Sequence, residues 1–180
     1  RMGLYGGTPK PPFVPGLEVA GTVEEIPSDG QTRAPALQKG DRVAALTKFN
    51  GYAERVAVPA QQAFRVPEGI PLEDAAALPV NYLTAYHSMF QMGNLQPGDR
   101  ILIHAAAGGV GIAAIQLAKA RRLVIFGTAG PSKQDFLRQL GVDYPLDYSK
   151  EDFVEVVRRV APDGIELAFD AVGGDYFKRS

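Results

Sequence analysis

The order of hydrophobic and polar residues predicts short β-strands in the first part of the chain. Up to about residue 78, brief runs of alternating or apolar residues end at Gly or Pro, and most of the 14 prolines lie here. Such punctuation is typical of strands joined by turns. We predict strands within residues 16–23, 41–46 and 52–58, and therefore a small β-rich unit.

Helical patterns follow this β-rich stretch. Residues 72–78 and 81–92 have helical composition. Large apolar side chains in the second segment recur at i, i+4, i+7 and i+8, which predicts one buried helix face. These side chains are Tyr82, Tyr86, Met89 and Phe90.

Strands and helices alternate after the turn at Pro97 and Gly98. Alternation of this kind is typical of βαβ units, which build a parallel sheet. An S-x-x-D pattern marks two of the helix starts, and a glycine marks one helix end. The predicted strands are 101–103, 123–126, 144–146 and 165–170, the first helix is 110–120, the S-x-x-D pairs are Ser132 with Asp135 and Ser149 with Asp152, and the stop is Gly141.

These patterns define the fold class as α/β. We predict a β-rich domain at residues 1–90, followed at residues 91–180 by the first half of a doubly wound parallel sheet, which is incomplete within this chain. Arg1 is not an initiator methionine and a helix is only beginning at the last residues, so we expect the chain to be truncated at both ends.

Composition narrows the classes of partner. The 180 residues are 46% hydrophobic, with a formal net charge of -1 and no long run of one sign, so neither nucleic acid nor an anionic membrane is favoured. The expected partner is a small molecule. No apolar stretch reaches the roughly 20 residues of a membrane-spanning helix, and no signal peptide is recognisable, so we expect a cytoplasmic location.

The sharpest motif is a glycine turn between a predicted strand and an apolar helix. It runs from His104 to Gly111, and the dinucleotide-binding fingerprint G-x-G-x-x-G maps onto Ala106, Gly108 and Gly111. Gly108 leaves room for the backbone to approach a pyrophosphate, and Gly111 lets the helix pack on the strand. The helix start, at Gly109 and Val110, then presents N–H groups to the phosphates.

The end of the second predicted strand favours NADP over NAD. NAD-preferring sites carry an acidic residue there, but residues 126–130, which include Gly127, Thr128 and Gly130, contain none. Ser132 and Lys133 follow, where a hydroxyl and an ammonium group suit a 2′-phosphate. The alternative is that Ser132 only caps its helix and Lys133 is a solvated surface residue.

Several segments together resemble the quinone oxidoreductases of the medium-chain dehydrogenase/reductase superfamily. The segments are residues 15–23, 40–43, 51–54 and 104–111, and the resemblance covers nearly the whole chain. Residues 80–86, 93–98 and 126–129 are most similar to the synaptic-vesicle membrane protein group of homologues. Enoylreductase domains of polyketide synthases share the glycine turn.

The resemblance implies a GroES-like catalytic domain followed by a Rossmann domain, and hydride transfer from NADPH to a quinone, enone or 2-alkenal. It places Thr84, and more weakly Asn81, at the nicotinamide, Lys133 and Tyr148 at the 2′-phosphate, and Val172 and Gly173 beside the cofactor. Full-length relatives are expected to be homodimers, and the usual dimer strand lies outside this chain. The alternatives are a nucleotide-binding, non-catalytic or lipid-associated homologue, and an enoylreductase-like domain.

Metal chemistry is not expected. Zinc-dependent relatives carry G-H-E where this chain has Gly16, Leu17 and Glu18, and they use cysteines, of which this chain has none. His104, at the end of the first strand of the predicted parallel sheet, is expected to be structural rather than a general acid. Residues 119–123 shorten the glycine turn that usually ends the first helix of this sheet.

Overall fold

A computed structural model describes residues 9–26 and 37–180. Contacts divide the chain into two compact units, Arg1–Val80 and Asn81–Ser180. The first contains an antiparallel sheet and the second a parallel one, which confirms the predicted α/β class with a β-rich part before a doubly wound sheet. The domain limits 1–90 and 91–180 stay a prediction.

The sheet of the first unit has the order β1-β2-β3. Its strands are β1 (Glu18–Thr22), β2 (Arg42–Leu46) and β3 (Ala63–Arg65), and both pairings are antiparallel. Small side chains fill its core, because Ala44, Ala45 and Ala63 are buried. The first two strands lie within the predicted segments.

The strand predicted at residues 52–58 is wrong. The N–H groups of Gly51 and Tyr52 donate to the carbonyls of Gly16 and Pro15, at 3.1 and 2.9 Å, but no strand follows. At this crossing the backbones almost touch, since a Cβ on Gly16 would lie 2.6 Å from the Gly51 Cα. The alternation therefore marks half-burial of Val56 and Val58, and β2 pairs with β3 instead.

The predicted helices before the parallel sheet are present in altered form. Helix α1 (Leu72–Ala75) is shorter than predicted, and α2 (Pro79–Tyr86) continues as a π-helical segment, His87–Met92. The wider turn appears where the Gly93 N–H donates to the Ser88 carbonyl at 2.9 Å, five residues back. Of the predicted buried face, Met89 is fully buried and Tyr82 and Phe90 are partly buried, but Tyr86 is 38% exposed, so its predicted burial is wrong.

Strands and helices alternate through the second unit. The strands lie parallel in the order β6-β5-β4-β7. The elements are β4 (Arg100–Ile103), α3 (Gly109–Ala120), β5 (Val124–Ala129), α4 (Gln134–Gln139), β6 (Tyr144–Asp147), α5 (Phe153–Val160), β7 (Leu167–Phe169) and α6 (Asp175–Arg179).

Successive residues of β4 point to opposite faces of this sheet, and each face has its own core. Ile101 and Ile103 belong to a cluster that contains the buried side of α3, whereas Leu102 belongs to a cluster with Phe153 and Val156 of α5. Helices thus cover both faces, which is the doubly wound arrangement.

Neither serine of the S-x-x-D pairs caps a helix, so those two helix starts were wrongly predicted. The Lys133 N–H donates to the Gly130 carbonyl, which forms a 3-10 turn at Pro131–Lys133 and delays α4 to Gln134. Ser149 donates its hydroxyl to Asp147 Oδ1 at 2.7 Å, so Asp152 caps α5 by accepting the Val154 N–H. Ser149 is therefore held by the end of β6, and Ser132 lies within the 3-10 turn.

Helix α3 ends without the glycine that such ends favour. The N–H groups of Arg122 and Leu123 donate to the carbonyls of Lys119 and Ala118, both at 3.0 Å, which is a Schellman motif. Arg122 consequently has a φ of 58°, in the left-handed region. At the end of α4 the same motif uses Gly141, with a φ of 83°, which confirms the predicted stop.

Replacing Arg122 by Gly is expected to stabilise the protein by about 0.5–1 kcal/mol. A left-handed residue with a Cβ costs about 1–2 kcal/mol, and part of that gain is lost to the greater freedom of glycine in the unfolded chain. The measurement is urea unfolding at constant m-value. Arg122→Ala is the control, because it removes the side chain and keeps the strain. Equal stabilisation by both variants would contradict the explanation.

Candidate functional site

The candidate site lies along the edge of the parallel sheet where the strands end. The glycine turn follows β4, Gly130 follows β5, Tyr148 follows β6 and Asp170 follows β7. Since all four strands are parallel, these positions share one edge. Ligands of open α/β sheets bind at this edge, where the strand order reverses. Here the reversal lies between β4 and β7.

The glycine turn exposes the start of α3. The Gly108 N–H donates to the Ala105 carbonyl at 2.9 Å, and Ala105 has a φ of 51°. The first N–H within the helix to find a helical acceptor is that of Ile112, which donates to Gly108. By helix geometry, the N–H groups before it point out of the helix end, where an anion can accept them.

Close backbone contacts account for the glycines of this turn. A Cβ on Gly111 would lie 2.5 Å from the Ala105 oxygen and 2.6 Å from the Ala106 oxygen, so no side chain fits there. Gly108 and Gly109 are exposed. The turn is therefore a bare backbone cradle at a helix start, and its geometry fits a pyrophosphate.

The two residues expected at the nicotinamide are placed differently. The Asn81 amide lies against the turn, because a Cβ on Gly109 would be 2.8 Å from Asn81 Oδ1. The Tyr82 hydroxyl, next in α2, donates to Gln116 of α3. Thr84 is exposed on α2. The structure thus brings Asn81 to the glycine turn, and the role of Thr84 stays a prediction.

The three residues expected at the 2′-phosphate lie after the ends of β5 and β6. Ser132 and Lys133 are exposed on the 3-10 turn after Gly130. Tyr148 is 54% exposed, and its hydroxyl would lie 3.1 Å from a Cβ on Gly130. The Tyr148 hydroxyl therefore lies beside the Gly130 backbone, and the exposed Ser132 and Lys133 follow it within three residues.

The structure corrects the place of Gly127. A Cβ there would meet Val142 Cγ1 at 3.1 Å and Ala106 Cβ at 3.2 Å, so Gly127 is packed inside the sheet. The strand ends at Ala129. Thr128 is also buried, with its carbonyl accepting the Ala106 N–H at 3.0 Å, and its contact with a cofactor stays a prediction.

The turn after β7 is organised by Asp170. Its Oδ1 accepts the N–H groups of Val172 and Gly173 at 2.7 and 3.0 Å. Burial acts to raise the pKa of Asp170, but the hydrogen bonds from Gly173 and Val172, with the nearby His104, lower it overall. The carboxylate is therefore ionised, and its hydrogen bonds fix the backbone of Val172 and Gly173, the two residues predicted to lie beside the cofactor.

His104 joins four elements beneath the edge. Its Nδ1 lies 3.0 Å from Thr128 Oγ1 and its Nε2 lies 3.0 Å from Ser180 Oγ. The ring contacts Phe153 and Tyr176 edge-on, at centroid distances of 4.7 and 4.9 Å. Burial lowers the pKa of His104, and Asp170 opposes this only partly. A neutral, buried imidazole agrees with the expected structural role.

Comparison with known proteins agrees with this architecture. Residues 1–68 match the family described as alcohol dehydrogenase GroES-like domain, and residues 109–180 match the zinc-binding dehydrogenase family. The human synaptic vesicle membrane protein VAT-1 homologue is 43% identical over 97% of this chain and 44% of its own length.

Two solved structures extend the comparison. The CurK enoyl reductase superposes with a TM-score of 0.85 at 33% identity, over 93% of this chain and 50% of its own. The quinone oxidoreductase of Thermus thermophilus, solved alone and with NADPH, gives a TM-score of 0.78 at 36% identity, over 97% of this chain and 52% of its own.

A GroES-like part before a Rossmann-type sheet, with the glycine turn at the sheet edge, defines a class of nucleotide-dependent oxidoreductases. The chain belongs to the medium-chain dehydrogenase/reductase superfamily, and its relatives include quinone oxidoreductases and enoyl reductases. It spans 35% to 51% of the length of the curated relatives that it matches. Among residues 9–26 and 37–180, no helix has the length and apolar character needed to cross a membrane.

The buried imidazole of His104 is expected to make stability fall as the pH drops below about 6.5. Because burial lowers the pKa of His104 in the folded state, the unfolded state binds the proton first. The loss approaches about 1.4 kcal/mol per pH unit until the folded state is protonated too. His104→Gln should flatten this slope, as measured by urea unfolding between pH 7 and about 5.5.

Thr128→Val is the control for this prediction. It removes the hydroxyl partner of His104 and leaves the imidazole buried. The variant should lose stability at every pH and keep the slope. An unchanged slope in His104→Gln would show that another group titrates in this range.

Proposed function

We propose that this chain is the nucleotide-binding part, with a portion of the catalytic domain, of a zinc-independent NADPH-dependent oxidoreductase. The acceptor is a quinone, an enone or a 2-alkenal. The observation that carries the proposal is the end of β5, where the Tyr148 hydroxyl lies beside Gly130, Ser132 and Lys133 are exposed, and residues 130–133 include no acidic side chain. Both the family and an NADPH complex among its solved members support it.

The glycine turn would hold the pyrophosphate. The proposed contacts are the backbone of Ala106, Gly108, Gly109, Val110 and Gly111 at the start of α3. Glycine lets the backbone approach the phosphates, and the helix start supplies N–H donors and a partial positive charge. We also propose that Asn81, whose amide lies against Gly109, contacts the nicotinamide end of the cofactor.

The end of β5 would select the phosphorylated cofactor. Lys133 supplies a charge, Ser132 and Tyr148 supply hydroxyls, and Gly130 and Thr128 supply backbone at the strand end. A carboxylate is present nearby in Asp147, but it is 6% exposed and accepts both the N–H and the hydroxyl of Ser149. It is therefore buried and already paired with Ser149, and we do not assign it to the ribose.

The cofactor supplies the hydride, and the protein supplies binding and orientation. We place Val172 and Gly173, held by Asp170, beside the cofactor, and Thr84 at the nicotinamide. Metal assistance has no role in this proposal. The chain has no cysteine, and Glu18, the residue left from the G-H-E pattern of zinc enzymes, accepts the Val80 N–H at 2.7 Å.

Enoyl reduction is a second candidate, favoured by the close superposition on the CurK enoyl reductase. The chemistry is related, because a conjugated carbonyl also accepts hydride in that reaction. A nucleotide-binding, non-catalytic or lipid-associated role is the alternative suggested by the VAT-1 homologues. A cytoplasmic location and a homodimer of the complete protein belong to the main proposal.

Turnover tests the proposal directly. The complete protein is expected to oxidise NADPH in the presence of a small quinone or an enone, followed by the loss of nicotinamide absorbance. An enoyl thioester as acceptor separates the second candidate from the first. Tight NADPH binding without turnover of any acceptor would favour the non-catalytic alternative, for which co-sedimentation with liposomes is the next measurement.

Lys133→Ala is expected to weaken NADPH binding about 10- to 100-fold and leave NADH binding nearly unchanged. The substitution removes a charge-assisted contact to the 2′-phosphate, worth about 1.5–3 kcal/mol. Gly130→Asp should shift preference further towards NADH, because a carboxylate repels the phosphate and accepts ribose hydroxyls. Dissociation constants for both nucleotides, from fluorescence titration, measure each effect.

Lys178→Ala is the matched control, since it removes one lysine from exposed helix α6. It should leave the ratio of the two dissociation constants unchanged. Preference of the unaltered protein for NADH, or equal weakening of both nucleotides by Lys133→Ala, would contradict the assignment of this strand end.

A further inference from the structure

Gln134, the first residue of α4, is a buried amide at the end of β5. It is 8% exposed, although it follows directly on the exposed Lys133. Its Nε2 lies 3.0 Å from the Ala129 carbonyl, 3.3 Å from that of Gly130 and 3.2 Å from that of Leu146. One side chain therefore connects the ends of two strands.

These carbonyls lie where the β5–β6 ladder stops. Ala129 pairs with Asp147 as the last position in register, and the Tyr148 N–H reaches the Ala129 carbonyl only at 3.4 Å. Beyond this point the segments that follow β5 and β6 separate. The first enters the turn with Ser132 and Lys133, and the second continues to Tyr148. Gln134 connects the two segments where strand pairing ends, because its amide group donates to carbonyls at the ends of both β5 and β6.

The orientation of the amide is fixed by its partners. Only the nitrogen of a glutamine side chain can donate, and three carbonyls face it. The oxygen Oε1 is left buried and without a hydrogen-bond partner among the described residues. An unpaired buried acceptor is unfavourable. The hydrogen bonds made by Nε2 must therefore outweigh the cost of the unpaired Oε1. We infer that this side chain is buried in order to hold the two strand ends.

We propose that Gln134 is a positioning residue that sets the spacing between Lys133 and Tyr148, and thereby the preference for a 2′-phosphorylated nucleotide. It acts through the Gly130 carbonyl and the end of β6, without touching the nucleotide. The inference rests on the proposed NADPH function. A phosphate held from two strands needs both sets of groups in place beforehand, and buried second-layer hydrogen bonds provide this.

The test compares Gln134→Met with Gln139→Met. Methionine keeps the length and volume of glutamine and removes the amide N–H groups. Gln139 is the exposed last residue of the same helix, so it offers the same chemical change without the contacts. The readout is the dissociation constant for NADPH and for NADH, measured by fluorescence titration on each variant.

Gln134→Met is expected to weaken NADPH binding on the order of tenfold, as loss of outer-layer support does at other sites. NADH binding should change by less than about twofold, because the pyrophosphate turn is untouched. Gln139→Met should change neither. In the Lys133→Ala background, Gln134→Met should have little further effect on NADPH, since both substitutions remove the same phosphate contact.

A general structural role would weaken both nucleotides alike, and that result would overturn the proposal. So would full additivity with Lys133→Ala. Failure of the NADPH function is recognised separately, as a lack of NADPH preference in the unaltered protein. If Gln134→Met does not fold, Gln134→Asn decides by the same ratio, because it keeps the amide but is too short to reach all three carbonyls.

Discussion

The close approach of α3 to the end of β4 is the contact on which the rest of the site depends. At Gly111 the helix backbone passes so near the carbonyls of Ala105 and Ala106 that any Cβ would lie about an ångström too close. This approach brings the first turn of α3 to the sheet edge. It also requires Ala105 to adopt a left-handed conformation, at a φ of 51°, so that the chain can turn from strand to helix. The strained conformation of Ala105 thus belongs to the turn that leaves the N–H groups at the start of α3 exposed.

Behind this exposed edge lies a layer of buried polar side chains that fix the strand ends. His104 contacts Thr128, Asp170 binds the turn after β7, and Gln134 joins β5 to β6. Asp170 and Gln134 satisfy backbone groups that strand pairing does not reach, and His104 contacts the hydroxyls of Thr128 and Ser180. The front of the edge, by contrast, presents backbone and small residues. Strand ends that are fixed by buried side chains, with an exposed backbone in front of them, suit a nucleotide site in which the cofactor carries the chemistry.

The parts of the fold that depend on local pattern were predictable from the sequence. The glycine turn, the parallel alternation and the stop at Gly141 follow from spacing and from glycine's freedom. The parts that depend on tertiary contacts were not. Ser149 has the sequence of a helix cap but bonds to Asp147, and Gly127 precedes an acid-free segment but packs against Val142. Nothing in the spacing of Gln134 indicates its burial, because its partners come from strand ends 4 to 12 residues away.

The pairing of β4 with β7 is flanked at both ends by groups that respond differently to acid. At the amino ends, Glu166 accepts hydrogen bonds from the side chain and backbone of Arg100, which lower the pKa of Glu166 to about 2. At the carboxyl ends, the backbone N–H of His104 donates to the Phe169 carbonyl. The imidazole of His104 is neutral, because burial lowers its pKa. The Glu166 contribution is present above its ordinary pKa and is lost only as the pH falls towards 2. Mild acid therefore acts first on the His104 end, which is the end where the nucleotide is proposed to bind.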